Sequence, residues 1–278
     1  MLEIPEAITV AKQINKTLKG KRVQSVVPAS SYHKLMWFSG EPSEYHALLQ
    51  GKTIGNTYAY GGRVEIEAGD MALHFCDGIN LRFYDKGDKL PPKYQMLFQF
   101  DNETSLVCTV AMYGGIQCCK KGELDDFYST AAREKPAVLS DTFDRDYFFS
   151  LFDEKALKMS AKAFLATEQR IPGIGNGVVQ DILLNAKIHP KRKMNTLDNG
   201  QKEQLFHSIK NTLSEMVSGG GRDTEKDLFG NPGRYKTKLS KTNKLLICPV
   251  CGGTVRKESY MGGSVYYCDN CQEELKKS

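Results

Sequence analysis

Apolar residues recur at Ala7, Ala11, Ile14 and Leu18, a spacing that keeps one face of a helix hydrophobic. This predicts a helix from Pro5 to Lys19, with Pro5 in its first turn and Gly20 just past its end. From about residue 22 to 120 the period changes to two. Val64 and Ile66 alternate with Glu65 and Glu67. The same alternation runs through Met71, Leu73 and Phe75, through Ile79, Leu81 and Phe83, through Met96, Phe98 and Phe100, and through Leu106, Cys108 and Val110. Asp101-Asn-Glu supplies a turn between two of these runs. Many short strands separated by turn signals predict an antiparallel sandwich.

A second change comes at Ala132 to Asp146, where Pro136, many charges and little periodicity predict a linker. Helical spacing returns over Ala156 to Thr167, Gly177 to Ala186 and Asn199 to Val217. Ser218-Gly-Gly-Gly-Arg222 ends the last of these, and a loop containing Gly230-Asn-Pro-Gly233 follows. The fold class expected is α+β in two domains, an N-terminal antiparallel β-sandwich headed by a helix and a C-terminal helical domain, with a small ribbon at the end.

The 278 residues are 26% charged and 40% hydrophobic, an ordinary globular mix. No apolar run reaches the roughly 18 residues of a membrane span, and the N-terminus has no basic stretch ahead of an apolar core. A cytoplasmic protein without membrane contact is expected, in a reducing compartment that suits Cys76, Cys108, Cys118 and Cys119 as free thiols. The net charge of +5 permits nucleic acid without requiring it. Local clusters bear on this more directly: His189-Pro-Lys-Arg-Lys193, and Arg234, Lys236, Lys238, Lys241 and Lys244. Solvated basic loops would look the same.

Cys248-Pro-Val-Cys251 and Cys268-Asp-Asn-Cys271 are separated by sixteen residues. Two such pairs match a structural zinc site of four thiolates; two disulfides, or four unrelated thiols, are the competing readings. Thr254-Val-Arg256 and Val265-Tyr-Tyr-Cys268 read as strands of a hairpin that joins the pairs, with turns at Gly252-Gly253 and Gly262-Gly263.

Two further segments could carry chemistry. Pro172-Gly-Ile-Gly-Asn176 joins two helices, and its glycines could present backbone N–H groups to a phosphate; a purely structural turn is the alternative. Lys162, on the preceding helix, could reach the same anion. At the start, Leu2-Glu3-Ile4-Pro5-Glu6 places two carboxylates beside the α-amine. An α-amine with an ordinary pKa of about 7.7–8.0 is substantially neutral near pH 7 and can attack an aldehyde carbon. A nearby Glu could shuttle the protons, although acidic residues also serve simply as helix-dipole partners.

As an ordered set, these motifs resemble the formamidopyrimidine-DNA glycosylase and endonuclease VIII family of base-excision repair enzymes. The resemblance runs from Glu3–Glu6 through Gly173-Ile-Gly-Asn176, Ile188-His-Pro190, Gly219-Gly-Gly221 and Gly230-Asn-Pro-Gly233 to Cys271-Gln272. It implies a helix–two-turn–helix domain and a β-hairpin zinc finger holding one structural Zn²⁺ through Cys248, Cys251, Cys268 and Cys271. It implies a monomer in the bacterial cytoplasm or nucleoid, acting on double-stranded DNA with a damaged base or abasic site. The activity implied is N-glycosylase with AP lyase, through a Schiff base at the N-terminal amine. The domains implied are a catalytic sandwich over 1–130, a linker over 131–150, the DNA-binding helical domain over 151–233 and the zinc finger over 234–278. Leu2, Glu3 and Glu6 fall at the catalytic positions. Lys162, Asn176 and Arg63 fall at phosphate-contacting positions, and Met112 and Tyr113 at the wedge that fills the place of a flipped base.

The sequence departs from the family where the family does its chemistry. Leu2 stands where Pro carries the nucleophilic amine. Initiator Met is generally removed only ahead of small residues, and a retained Met1 would displace the amine by up to about 3.6 Å. The family's β-domain Lys aligns with Gly62 or Arg63, its wedge Met with Asp77, and its zinc-finger Arg with Gly263. A damaged-DNA or abasic-site binder with little catalysis on the same scaffold is the alternative expectation.

Overall fold

The computed structural model describes residues 1–29, 32–124, 126–242 and 246–273. Lys244, in the second basic cluster, lies outside them. The chain starts with α1 (Ile4–Thr17), with Glu3 extended at its N-cap, Pro5 in the first turn and Lys16 in the last. Its buried face is Ala7, Val10, Ala11 and Ile14, and Gly20 follows at φ +88°.

There follow β1 (Val23–Pro28), β2 (Met36–Phe38), α2 (Tyr45–Leu49), β3 (Ile54–Tyr60), β4 (Arg63–Ala68), β5 (Met71–Tyr84), β6 (Met96–Phe100) and β7 (Ser105–Lys120). The hydrogen-bonded order is β1-β6-β7-β5-β4-β3, with β2 added parallel to β7. β5 and β7 are long and lose register between Asp77 and Ile79. Their two halves therefore enter different layers. Met71–Asp77 and Gly114–Lys120 join β3 and β4, while Ile79–Tyr84 and Ser105–Val110 join β6 and β1. Phe75 from one layer meets Phe98 from the other edge to face, with centroids 6.3 Å apart. This is the antiparallel sandwich, with its apolar core between the layers and against α1.

The second half contains α3 (Phe127–Glu134), α4 (Arg145–Ser150), α5 (Glu154–Leu157), α6 (Ala161–Ala166), α7 (Val179–Asn185) and α8 (Asn199–Ser218). The segment from Ala132 to Asp146 thus holds the end of α3 and the start of α4, and its Val138 and Phe143 are buried. The helix expected over 156–167 is two helices. Ser160 accepts from the Ala163 N–H and caps a new start, as Asp153 does for α5. α8 begins with a full capping box between Asp198 and Gln201. Phe143, Phe148, Phe164 and Phe206 form the centre of this core.

The hairpin of β8 (Val255–Tyr260) and β9 (Gly263–Cys268) turns through Met261 and Gly262 and packs on α7. Among the described residues, no helix is long and apolar enough to cross a membrane.

Candidate functional site

α1 belongs to both halves. Ala7, Val10, Ala11 and Ile14 pack in the sandwich core, while Ile4 packs in the helical core. The beginning of the chain is therefore held where the halves meet, beside a cleft of about 1210 Å³. Leu2 is buried, and its N–H donates to the Asp77 carbonyl at 2.6 Å. The Met1 α-amine, in the cleft wall, pairs with Glu225 at 2.6 Å.

Glu3 is buried to 3% exposure, yet it lines the cleft. Its Oε1 accepts the Gly177 N–H and its Oε2 the Val178 N–H, both at 2.9 Å. These are free donors ahead of α7, where a carboxylate is favoured. Burial, the dominant influence, holds the Glu3 pKa above the ordinary carboxylate value, against the opposing pull of Arg222 and the two N–H groups. Glu6, one helical turn on, is clamped by Arg222. The guanidinium donates to Oε1 at 3.0 Å and to Oε2 at 2.8 Å, and the Arg222 backbone N–H adds a third bond. The same guanidinium comes within 3.5 Å of Glu3. A Cβ on Gly177 would overlap it, so glycine is required there.

The turn expected as an anion cradle has a structural task as well. Gly173 has φ +86°, and a Cβ there would strike the Gly61–Gly62 backbone of the β3–β4 turn. Gly62 in turn faces the Leu2 carbonyl, 2.9 Å from where its own Cβ would sit. The β3–β4 turn thus seats on both the chain start and the helical domain.

Lys162 is 4% exposed, and its Nζ donates to the Tyr260 carbonyl at 2.8 Å. Asn176 donates to the Ser264 carbonyl at 3.0 Å. Both line the cleft, and both also tie the helical domain to the zinc hairpin. Arg63 lies across the cleft, 3.6 Å from Asp126 and over the Tyr128 ring. Met112 is 60% exposed beside Tyr113. The structure thus gathers Leu2, Glu3, Arg63, Met112, Tyr113, Lys162 and Asn176 around one cleft; Glu6 stands behind it, against Arg222.

Sequence reasoning passed over three residues: Arg222, Glu225 and Trp37, all in the cleft wall. A charge after a run of glycines reads as a solvated loop residue, and a three-residue strand is too short to show a period.

Cys248, Cys251, Cys268 and Cys271 converge, with all four sulfurs within 4.8 Å of one another. The separations of 3.9 Å for Cys248–Cys271 and 3.5 Å for Cys251–Cys268 are far from the roughly 2.05 Å of a disulfide. They bracket the edge of about 3.8 Å expected of a tetrahedron with Zn–S bonds of about 2.3 Å. The residues fit a structural zinc finger.

Residues 135–227 match the family described as formamidopyrimidine-DNA glycosylase H2TH domain. The formamidopyrimidine-DNA glycosylase of Pasteurella multocida is 29% identical over 98% of this chain and 100% of its own length. That of Cytobacillus firmus is 25% identical with the same coverage. A complex of the Lactococcus lactis protein with abasic-site DNA superposes with a TM-score of 0.80 at 22% identity, over 98% of this chain and all of that one. A complex of the LlFpg protein with a THF-DNA and an inhibitor gives 0.81 at 22%, with the same coverage.

Proposed function

From the premise that this chain is a full-length homologue within the formamidopyrimidine-DNA glycosylase family, we propose that it binds damaged or abasic-site DNA in its cleft. We assign it base excision through the N-terminal amine. The observation that carries this reading is the buried Glu3 carboxyl, fixed by two backbone N–H groups and lining the same cleft as the chain start. The same carboxyl receives the free N–H donors ahead of α7, and its place in the cleft wall beside the chain start is what supports a part in proton transfer.

In the proposed reaction the amine lone pair attacks C1′ of the damaged nucleotide and the N-glycosidic bond breaks, its electrons leaving with the base. The amine, once bonded to C1′, gives up a proton, which passes to the departing base so that the base leaves neutral. The Glu3 carboxyl, whose raised pKa suits a general acid, protonates O4′. The C1′–O4′ bond then opens to leave an iminium. Cations around the cleft, Arg63, Lys162 and Lys257 among them, meet the phosphates. Zinc, when bound by the four cysteines, fixes the hairpin and takes no part in bond breaking.

One observation favours a second reading, that of a binder with little catalysis. The amine is engaged by Glu225 at 2.6 Å, and while so paired its lone pair is occupied by a proton. Borohydride separates the two, because it reduces an iminium to a stable amine. Abasic-site DNA should be trapped covalently on wild type, and peptide mapping should place the adduct at residue 1, or at residue 2 if intact mass shows Met1 removed. Glu3→Gln should slow base removal more than trapping. Tight binding of abasic DNA without any adduct would leave the binder standing.

A further inference from the structure

Leu2, at the position where the family carries its nucleophile, is committed to structure here. Its side chain is in the sandwich core, its N–H donates to the Asp77 carbonyl at 2.6 Å, and its own carbonyl faces Gly62. A terminal amine on Leu2 would be held in that bond, on a buried residue. Met1 is instead partly exposed in the cleft wall, and its amine meets the Glu225 carboxylate at 2.6 Å.

The loop after α8 holds Glu225 in place. The Glu225 N–H donates to the Arg222 carbonyl at 3.1 Å, and the Glu225 carbonyl accepts the Gly233 N–H at 3.2 Å. On one side of it, Arg222 is clamped on Glu6 of α1. On the other, Asp227 accepts from Gln13 of α1, Leu228 is buried in the sandwich core, and the Leu228 carbonyl accepts the Phe83 N–H. Glu225 is thus fixed relative to the same helix that fixes the chain start. Ion pairs between partly exposed groups contribute little to stability, so stability does not account for a carboxylate brought to an amine 224 residues away in a cleft wall.

The structure assigns the nucleophile to the Met1 amine and the acceptor of its proton to Glu225. This rests on the base-excision reading above and names the two groups that start the reaction. An ammonium has no lone pair and must lose a proton before it attacks; a carboxylate already bonded to it is placed to take that proton. In this step one proton moves from the Met1 nitrogen to Glu225, leaving a neutral amine and a carboxylic acid. The amine then bonds to C1′ as described above. When water hydrolyses the iminium, the amine leaves as ammonium. The proton on Glu225 passes through water to the Glu3 carboxylate, which resets both groups. The contact that holds the proton is also the route by which it leaves.

The test uses full-length protein. Intact mass should show Met1 present, and borohydride trapping on abasic-site duplex should place the adduct on the Met1 nitrogen. Glu225→Ala should lower the trapping rate at saturating DNA by about 10²–10⁴-fold, with affinity for the same DNA changed by less than about two-fold. Glu225→Gln, which keeps the shape and cannot take the proton, should be similarly slow, and Glu225→Asp should fall between it and wild type. Added formate, a small carboxylate, should restore part of the rate in Glu225→Ala and leave wild type unchanged. An adduct on Leu2 or on a lysine, or trapping by Glu225→Ala as fast as wild type or faster, would overturn the assignment and leave base excision standing, since an iminium forms all the same. Tight binding of abasic DNA with no adduct on any residue would overturn the base-excision reading itself.

Discussion

At the cleft wall, Glu3 and Glu6 both lie within hydrogen-bonding or ion-pair reach of Arg222, and none of the three is more than 6% exposed. One guanidinium faces two carboxyl groups, and two backbone N–H groups also hold Glu3. Removing a partner from a buried charged set strands the others, at about 3–5 kcal/mol. Arg222→Met should therefore lower unfolding free energy by about that amount in urea titration, and Arg222→Lys by less, since it keeps the charge and loses the fork. A loss below about 1 kcal/mol for Arg222→Met would mean the carboxylates are satisfied without it. Another buried side chain gives a pH signature. His74 sits 3.4 Å from Glu65, with Cys119 on its other nitrogen, and Glu65 is itself paired with Arg133. Burial first, then Arg133 and Arg63, with Asp126 opposing, push its pKa down to about 4. Unfolded, it titrates near 6.5, so between those values the unfolded chain holds more protons. Stability should fall as pH drops through that window, by roughly 2 kcal/mol between pH 7 and pH 5 from this residue. Urea titrations of wild type and His74→Gln at the two pH values measure it; an equal pH dependence in both would remove His74 as the cause. Glu3 was legible in the sequence as a carboxylate at a helix start. Arg222 was not, because its meaning depends on a separation of 216 residues being closed.

Strand alternation was legible at the scale of elements because one face of each strand must be apolar. The two long strands were harder to read. Met71–Phe75 and Ile79–Phe83 look like two runs but form one strand, bent by the register break that separates the layers. β2 left no trace, since Met36–Phe38 is too short for a period. In the helical half, Ala156–Thr167 reads as one helix by spacing, and only the Ser160 side chain, by capping Ala163, shows the break. The zinc hairpin was the most legible element, because four ligands at fixed spacing leave little choice of geometry. Its own apolar core is small: Val255, Tyr266 and two cysteines, resting on Leu184 and Leu239. A metal bound by the four cysteines adds folding free energy to so small a unit, beside the bonds that tie it to the helical domain. Elemental analysis should find one zinc per chain, absent in Cys268→Ser with Cys271→Ser. Chelation should unfold the hairpin and weaken DNA binding while the sandwich keeps its far-ultraviolet signal. Loss of the whole fold on chelation would contradict this division.

Across the whole molecule, the cleft is made by contacts that tie three units together. Lys162 and Asn176 reach the hairpin, and Gly61–Gly62 seats on Gly173. Lys162 has further donors beyond the one given to Tyr260, and it lines the cleft. If it also meets a phosphate, Lys162→Met should weaken binding to all sequences alike and lower the slope of log K against log salt by about 0.9. An unchanged slope would confine Lys162 to holding the hairpin.

The passage of α1 through both cores has a mechanical consequence. The sandwich and the helical half share α1, whose Ile4 packs in the helical core and whose later residues pack in the sandwich. The chain beyond α8 returns Leu228 to the sandwich core, and Asp227 accepts from the Gln13 side chain of α1. The β3–β4 turn seats on Gly173 from the other side. With so many stitches the halves behave as one block, and Glu3 and Glu6, at the start of the shared helix, are anchored from both sides at once.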